Sequence, residues 1–175
     1  MEDLITDDSD DVVVVDVAGN IGHDIVGFQN KFKLKPGRLI LQDRPEVIAN
    51  TIVDSSIKAM AHDIMTPQPI KNARIYYLHI VLHDFPDSAA RHILSMLVPA
   101  MLRGRSKILI HEMVMWPQNN NSTATASDVL MMGLFNGIER TIAQFQALIE
   151  PVGLKIAQAY RSPTTSQSIL ELELA

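Results

Sequence analysis

Short apolar runs alternate with helical segments along most of this chain, and that alternation constrains its fold more than any other feature. The first run, Val12 to Val17, is apolar on both faces, as is typical of a central parallel strand. Helical periodicity is clearest from Ala89 to Leu102, where apolar residues repeat every four positions. The pattern predicts strands over seven ranges: Val12–Val17, Arg38–Gln42, Ile57–His62, Arg74–Leu82, Lys107–His111, Leu154–Tyr160 and Ser168–Leu174.

The order of these elements predicts an α/β fold. Helices are also expected over Asp24–Phe32, Pro45–Asn50, Ser127–Phe135 and Thr141–Glu150. Thr141 and Gln144 have the spacing of a capping box, and Pro99 is expected to bend its helix. Helical crossovers make successive strands parallel, whereas the last two strands are separated only by turn residues. We therefore predict a doubly wound, mostly parallel seven-stranded sheet with the last strand antiparallel, in one domain over residues 12–175.

Composition narrows the class of protein. The net charge is −5 and basic residues do not cluster, so nucleic acid is not an expected partner. The chain has no cysteine, which excludes disulfides and thiolate metal sites. No run approaches the ~18 apolar residues of a membrane span, so no membrane partner is expected. Residues 1–11 include six acidic residues, unlike a targeting peptide; we expect a disordered leader and a cytoplasmic protein.

Acidic residues at successive strand ends predict a cofactor site. Asp16, Asp43 and Asp63 each lie at the end of a predicted strand. The carboxyl ends of parallel strands meet at the sheet edge where α/β proteins bind ligands. A glycine-containing turn and a helix follow Asp16, which is the general form of a nucleotide-type cofactor loop. A single aspartate after a strand is more often a turn former or a helix cap, but three in succession favour a functional role.

The segment LHDFPD places His83 at the same edge of the sheet. Glu112 and Glu139 fall at the ends of later elements, where they are expected to converge on His83. An imidazole titrates near ~6.5 and is suited to act as a general base. The competing interpretations are a capping or packing histidine for His83, a solvated strand-end acid for Glu112 and a surface ion pair with Arg140 for Glu139.

These motifs, taken in order, resemble a known family. VVVVDVAGNIGHDI resembles the glycine-rich first motif of class I S-adenosylmethionine-dependent methyltransferases. The later segments resemble the caffeate-type O-methyltransferase family, and its fungal members most of all: LILQDRPEVI, MAHDI, ARIYYLHIVLHDFPD, KILIHEMVM and GIERTIAQFQALIEPVGLKI. The resemblance implies a Rossmann-like methyltransferase fold, S-adenosyl-L-methionine as the cofactor and a reaction that requires no metal.

The resemblance also implies a role for each candidate residue. It assigns the cofactor to residues at the first three strand ends: Asp16, Gly19 and Gly22 for the methionine moiety, Asp43 for the ribose, and Asp63 with Ile64 for the adenine. It assigns catalysis to three residues: His83 as the base, and Glu112 and Glu139 as the carboxylates that orient it.

The sequence departs from the family pattern in three respects. Ala18 and Asn20 stand where the family has glycine, and a side chain at position 18 is expected to crowd the cofactor. His79 stands where relatives carry Arg or Lys to support the cofactor end of the strand. Family members also carry an N-terminal helical part that forms the dimer and covers the acceptor. We expect the apolar surface left exposed to favour self-association or a partner chain on the acceptor side.

Two functions from different classes follow. The first is an O-methyltransferase that moves a methyl group from S-adenosylmethionine to a hydroxyl of a small aromatic or polyketide-type metabolite. The second is a methyltransferase-like protein without methyl transfer, either a truncated partner subunit or a cofactor-independent biosynthetic catalyst. The departures at Ala18, Asn20 and His79 favour the second function, whereas His83, Glu112 and Glu139 favour the first. A dinucleotide-dependent oxidoreductase is less favoured because the GxGxxG turn is absent.

Overall fold

The computed structural model describes residues 11–34, 38–116, 139–162, 165 and 167–175. Its strands are β1 (Val14–Val17), β2 (Leu39–Asp43), β3 (Ile57–Ala61), β4 (Ile75–His79), β5 (Lys107–Met115), β6 (Arg140–Thr141), β7 (Leu154–Arg161) and β8 (Gln167–Leu174). Its helices are α1 (His23–Phe32), α2 (Pro45–Ile48), α3 (Asp87–Leu97) and α4 (Ile142–Ile149). Among the described residues, 3-10 turns lie at Leu82–Asp84, Val98–Ala100 and Glu150–Val152.

The strands form one twisted sheet in the order β3-β2-β1-β4-β5-β8-β7, with the two-residue β6 paired to β5. Strands β1 to β5 are parallel, and β8 runs antiparallel between β5 and β7. The predicted doubly wound, mostly parallel sheet with an antiparallel last strand is therefore confirmed. The chain leaves β1 towards β2 on one side and returns to β4 on the other. Ligands of open α/β sheets bind at such a reversal.

Helices cover both faces of the sheet. On one face, α3 and α4 bury Leu94 and Phe145 against the sheet. On the other face, α1 packs Ile25 against β1 and β2. The predicted capping box is present, because the Thr141 side chain accepts from the Gln144 amide and the Gln144 side chain accepts from the Thr141 amide. Within the described ranges, no helix has the length and apolar content needed to cross a bilayer.

Several boundary predictions were wrong. The fifth strand was predicted to end at His111, but β5 continues to Met115, so Glu112 lies inside the strand. The fourth strand was predicted to run to Leu82, but β4 ends at His79 because Ile80 takes the left-handed φ of 55° and a 3-10 turn follows. Pro99 was predicted to bend one long helix; instead α3 ends at Leu97 and Pro99 lies inside a 3-10 turn. The predicted helix over Ser127–Phe135 lies outside the described residues.

Candidate functional site

His83 lies in the 3-10 turn Leu82–Asp84, immediately after β4, and its side chain is buried. Its Nδ1 lies 3.3 Å from Oε1 of Glu139, which is also buried and directly precedes β6. Its Nε2 lies 3.5 Å from Oδ1 of Asp84, a half-exposed carboxylate. When Nδ1–H donates to Glu139, the lone pair of the neutral ring is on Nε2, where a base needs it.

Glu112 reaches the same turn from β5 but contacts its backbone. Oε1 of Glu112 accepts hydrogen bonds from the amides of Val81 at 3.1 Å, Leu82 at 2.5 Å and His83 at 3.3 Å. The structure therefore brings the three predicted catalytic residues together, but the two glutamates contact different parts of the turn. Glu139 touches the imidazole, whereas Glu112 holds the peptide units that carry it.

The charges around His83 favour its protonated form. Burial acts to lower the pKa of His83, but the hydrogen bond to Glu139 and the charges of Glu112 and Asp84 outweigh it and raise the pKa above its ordinary value. Burial raises the pKa of Glu112, although His83, the backbone amides and Arg140 act in the opposite direction. His83 is thus a stronger base than a free imidazole.

The competing interpretation of Glu139 as one half of a surface ion pair with Arg140 is wrong, because both side chains are buried. The Arg140 side chain is fully buried and its ion pair is with Asp87 of α3. Its Nη1 donates to the carbonyl of Leu82 at 2.8 Å and its Nη2 to the carbonyl of Phe85 at 2.7 Å. Residue type alone did not reveal this burial, because an Arg beside a Glu is usually solvated.

A cavity of about 490 Å³ lies beside this turn, at the carboxyl ends of β1, β2 and β4. It is lined by the predicted cofactor residues Asp43, Asp63 and Ile64, and by Ala18 and Asn20 of the first loop. Further lining residues carried no individual signal in the sequence: Arg44, Val47, His62, Met65, Ile80, Val81, Asp84 and Phe85. Three of these, Val81, Asp84 and Phe85, belong to or adjoin the turn that carries His83.

Asp43 is held in one orientation at the end of β2. Its Oδ2 accepts from the Asn20 amide at 2.8 Å, and its Oδ1 accepts from the Arg44 amide at 2.7 Å. Each carboxylate oxygen retains a second acceptor position, so the group can still bind a ligand that donates hydrogen bonds. Asp43 thereby joins the end of β2 to the loop after β1 at the edge of the cavity.

The loop after β1 reaches its tight shape with few glycines. Ala18 and Asn20 have left-handed φ values of 57° and 55°, and Gly22 has a φ of 101°. Gly19 is required for close packing, because a Cβ there would lie 2.4 Å from Cγ of Asp16 and 2.6 Å from Cδ1 of Leu41. The Ala18 side chain lines the cavity, which is where crowding of the cofactor was expected. The Ala18 backbone nevertheless adopts the left-handed conformation that glycine favours.

Substitution of Gly22 by alanine is expected to destabilise the protein by about 1–3 kcal/mol. A Cβ at this position would lie 2.6 Å from Cγ1 of Val53, on a backbone with a φ of 101°. Gly27 provides the matched control, because it lies inside α1 and a Cβ there meets nothing within 4 Å. Gly27→Ala should stabilise by about 0.5–1 kcal/mol. Urea unfolding of both variants checks the difference; equal effects would contradict the packing described for the loop.

Four of the predicted cofactor residues do not line the 490 Å³ cavity: Asp16, Gly19, Gly22 and His79. Asp16 is buried on the α1 face, where it lines a second cavity of about 290 Å³. Within the described part of the chain, neither carboxylate oxygen has a hydrogen-bond partner, and burial raises the pKa of Asp16 to about 7. His79 donates from Nδ1 to Oδ2 of Asp24 across 2.6 Å, and its ring stacks on that of His111 with the ring centroids 4.2 Å apart. In the described ranges no group of three His, Cys, Asp or Glu residues is arranged to hold a metal ion.

Known proteins match this chain over nearly its whole length. A family model described as an O-methyltransferase domain matches residues 10–155. The O-methyltransferase mpaG of Penicillium roqueforti (strain FM164) is 44% identical over 167 residues, which cover 94% of this chain and 42% of that protein. Two solved structures, a LepI complex with SAM and one described as a pericyclic reaction enzyme, are each 31% identical and have TM-scores of 0.90 and 0.91. Each match covers 99% of this chain and 46% of the other, so the chain spans less than half the length of these relatives.

Proposed function

Because the chain belongs to the O-methyltransferase domain family, we propose that it carries the cofactor pocket and the general base of an O-methyltransferase of secondary metabolism. The cofactor is S-adenosylmethionine, and the acceptor is a hydroxyl of a small aromatic or polyketide-type metabolite. One observation carries the proposal: a buried His83–Glu139 pair stands on the turn that borders the 490 Å³ cavity. The proposed base is therefore next to the proposed cofactor pocket.

The residues around the cavity fit S-adenosylmethionine. The oriented Asp43 carboxylate at the end of β2 suits the two ribose hydroxyls. Asp63, Ile64 and Met65 offer a polar group and two apolar side chains for the adenine. A volume of about 490 Å³ is within the usual range for small-molecule sites. When bound, this cofactor supplies a methyl group already activated by its sulfonium charge.

The task left to the protein is to align and deprotonate the acceptor. A phenol titrates near ~10, so at neutral pH few acceptor molecules are ionised. Neutral His83 can take the phenolic proton on Nε2, while Glu139 beside Nδ1 stabilises the imidazolium that forms. A positioned base of this kind contributes roughly 10²–10⁴-fold.

Calorimetric titration of the purified chain with S-adenosylmethionine and S-adenosylhomocysteine tests the cofactor assignment. We expect micromolar binding by the wild type and a loss of about 10–100-fold in Asp43→Ala, because charge-assisted hydrogen bonds to the ribose are removed. Asp54→Ala, an exposed aspartate in the connection between β2 and β3, is the control and should bind as the wild type does. Absence of binding by folded wild-type protein, or equal binding by Asp43→Ala, would refute the assignment.

A second candidate is a catalyst of the same fold that transfers no methyl group. It is favoured by the likeness to the structure described as a pericyclic reaction enzyme, at 31% identity and a TM-score of 0.91. Incubation with methyl-labelled S-adenosylmethionine and a panel of phenols separates the two candidates. A labelled methyl ether supports the O-methyltransferase. A rearranged product of unchanged mass, obtained without labelled product, supports the second candidate.

A further inference from the structure

We propose that Arg140 is a positioning residue for His83: with Glu112 it clamps the segment Ile80–Phe85 from two sides and fixes the imidazole against Glu139. The clamp rests on the proposed function, because it matters for catalysis only if His83 is the base. It assigns a role to a fully buried arginine that does not line either cavity described above.

Arg140 holds the carbonyl side of the segment. Three of its nitrogens are used: Nη1 to the Leu82 carbonyl at 2.8 Å, Nη2 to the Phe85 carbonyl at 2.7 Å, and Nε to Oδ1 of Asp87 at 2.9 Å. A guanidinium is planar and presents its donors as a rigid fork. Binding carbonyls on either side of His83 therefore fixes the direction of the peptide units as well as their distance.

Glu112 holds the amide side of the same segment. Its Oε1 accepts the three successive amides of Val81, Leu82 and His83. Its carboxylate is buried, as the Arg140 guanidinium is, and a buried charge is tolerated only when it is compensated. Arg140 forms its ion pair with Asp87, and its charge also acts through space on Glu112, against the rise in pKa that burial causes there. The two sides of the clamp are therefore electrostatically coupled.

The segment needs to be held because its backbone is strained. Ile80 is β-branched, yet it has a left-handed φ of 55°, a backbone conformation that such residues rarely adopt. Such a conformation persists only where the surroundings impose it. The Ile80 amide is tied to the His111 carbonyl at 3.0 Å, and the clamp restrains the residues that follow.

Arg140 also couples the segment to Glu139, its neighbour in the chain. Arg140 pairs with Val114 in the short ladder between β5 and β6, two residues beyond Glu112 on β5. A shift of the Arg140 backbone therefore moves the Glu139 carboxylate relative to the His83 ring. The position of Arg140 therefore affects the distance between His83 Nδ1 and Glu139 Oε1, which is 3.3 Å.

The test is the titration of His83 in the full chain, followed by NMR of labelled histidine side chains. Arg140→Lys keeps the charge but loses the fork, so the Glu139 contact should lengthen. We expect the midpoint at which His83 titrates to fall by about one pH unit. Arg103→Lys is the matched control, because Arg103 also donates to backbone carbonyls, those of Leu174 and Ala175, but is exposed. In this variant the titration midpoint of His83 should equal that of the wild type. An unchanged His83 midpoint in folded Arg140→Lys would overturn the proposal and leave Arg140 a purely structural residue.

Hydrogen exchange of the wild type keeps the proposal testable if Arg140→Lys does not fold. A clamped segment predicts that the Leu82 and His83 amides exchange only through global unfolding, as slowly as the amides of the central strands. Exchange at the rate of exposed loop amides would overturn the clamp. Neither measurement depends on methyl transfer. A lowered His83 midpoint in a chain that binds no S-adenosylmethionine supports the clamp and refutes the proposed function, whereas cofactor binding with an unchanged midpoint does the reverse.

Discussion

Replacing His83 by asparagine is expected to lower the rate of methyl transfer by about 10²–10⁴-fold and to leave the affinity for S-adenosylmethionine unchanged. The variant loses the nitrogen that takes the acceptor proton. The residues offered to the cofactor, Asp43, Asp63 and Ile64, remain in place. Label transfer to an acceptor found by screening, together with calorimetric titration of the cofactor, measures the two quantities separately.

His23→Asn is the control for this experiment, because His23 is exposed at the start of α1. Its rate should match that of the wild type. The wild-type rate should also fall towards low pH, as His83 becomes protonated, with a midpoint above the ordinary histidine value because its carboxylate neighbours raise the pKa of His83. Full activity in His83→Asn would show that another group, or the ionised acceptor alone, suffices.

Replacing Asp16 by asparagine is expected to remove a pH-dependent loss of stability. Burial, followed by the charges of Asp24 and Asp43, raises the pKa of Asp16 from 3.8 to about 7. The folded state then holds this proton more tightly than the unfolded chain, so the Asp16 contribution to stability falls as the pH rises from about 4 to about 7. Asparagine is neutral throughout. Asp16→Asn should therefore be more stable than the wild type near pH ~8, by on the order of a few kcal/mol, with a smaller difference near pH ~4.

Urea unfolding of both proteins across this pH range measures the effect. Asp54→Asn is the matched control: Asp54 is fully exposed and its hydrogen bonds from Ser56 lower its pKa, so it titrates below the tested range. Parallel stability curves for the wild type and Asp16→Asn would mean that Asp16 is ionised in the folded protein from low pH.

The sheet was predictable because its signal is local and repeated. The β-branched run before Asp16 and the apolar run after Arg38 each correspond to a strand, and the capping box at Thr141 is a local contact that fixes a helix start. The end of β4 was not predictable from such signals. Ile80 favours a strand by its side chain, and the groups that hold the turn after it, the Glu112 carboxylate and the Arg140 guanidinium, are distant in sequence.

The residues of the candidate site were also predicted only in part. The resemblance singled out His83, Glu112 and Glu139, and the structure brings them together. It also grouped Asp16 and His79 with the cofactor residues, but neither lines the 490 Å³ cavity. Their side chains lie on the sheet face that α1 covers, because strand residues alternate between faces and position in a motif does not specify the face.

The loop after β1 has a consequence for how proteins of this kind are found. Ala18 and Asn20 adopt the left-handed φ angles that are usually found at glycine. Relatives should therefore be compared at these positions by backbone conformation and not by residue type. A search pattern that demands glycine at these positions discards sequences whose loop has the same shape. Alanine at the position of Ala18 and asparagine at the position of Asn20 therefore belong among the permitted residues when such patterns are written.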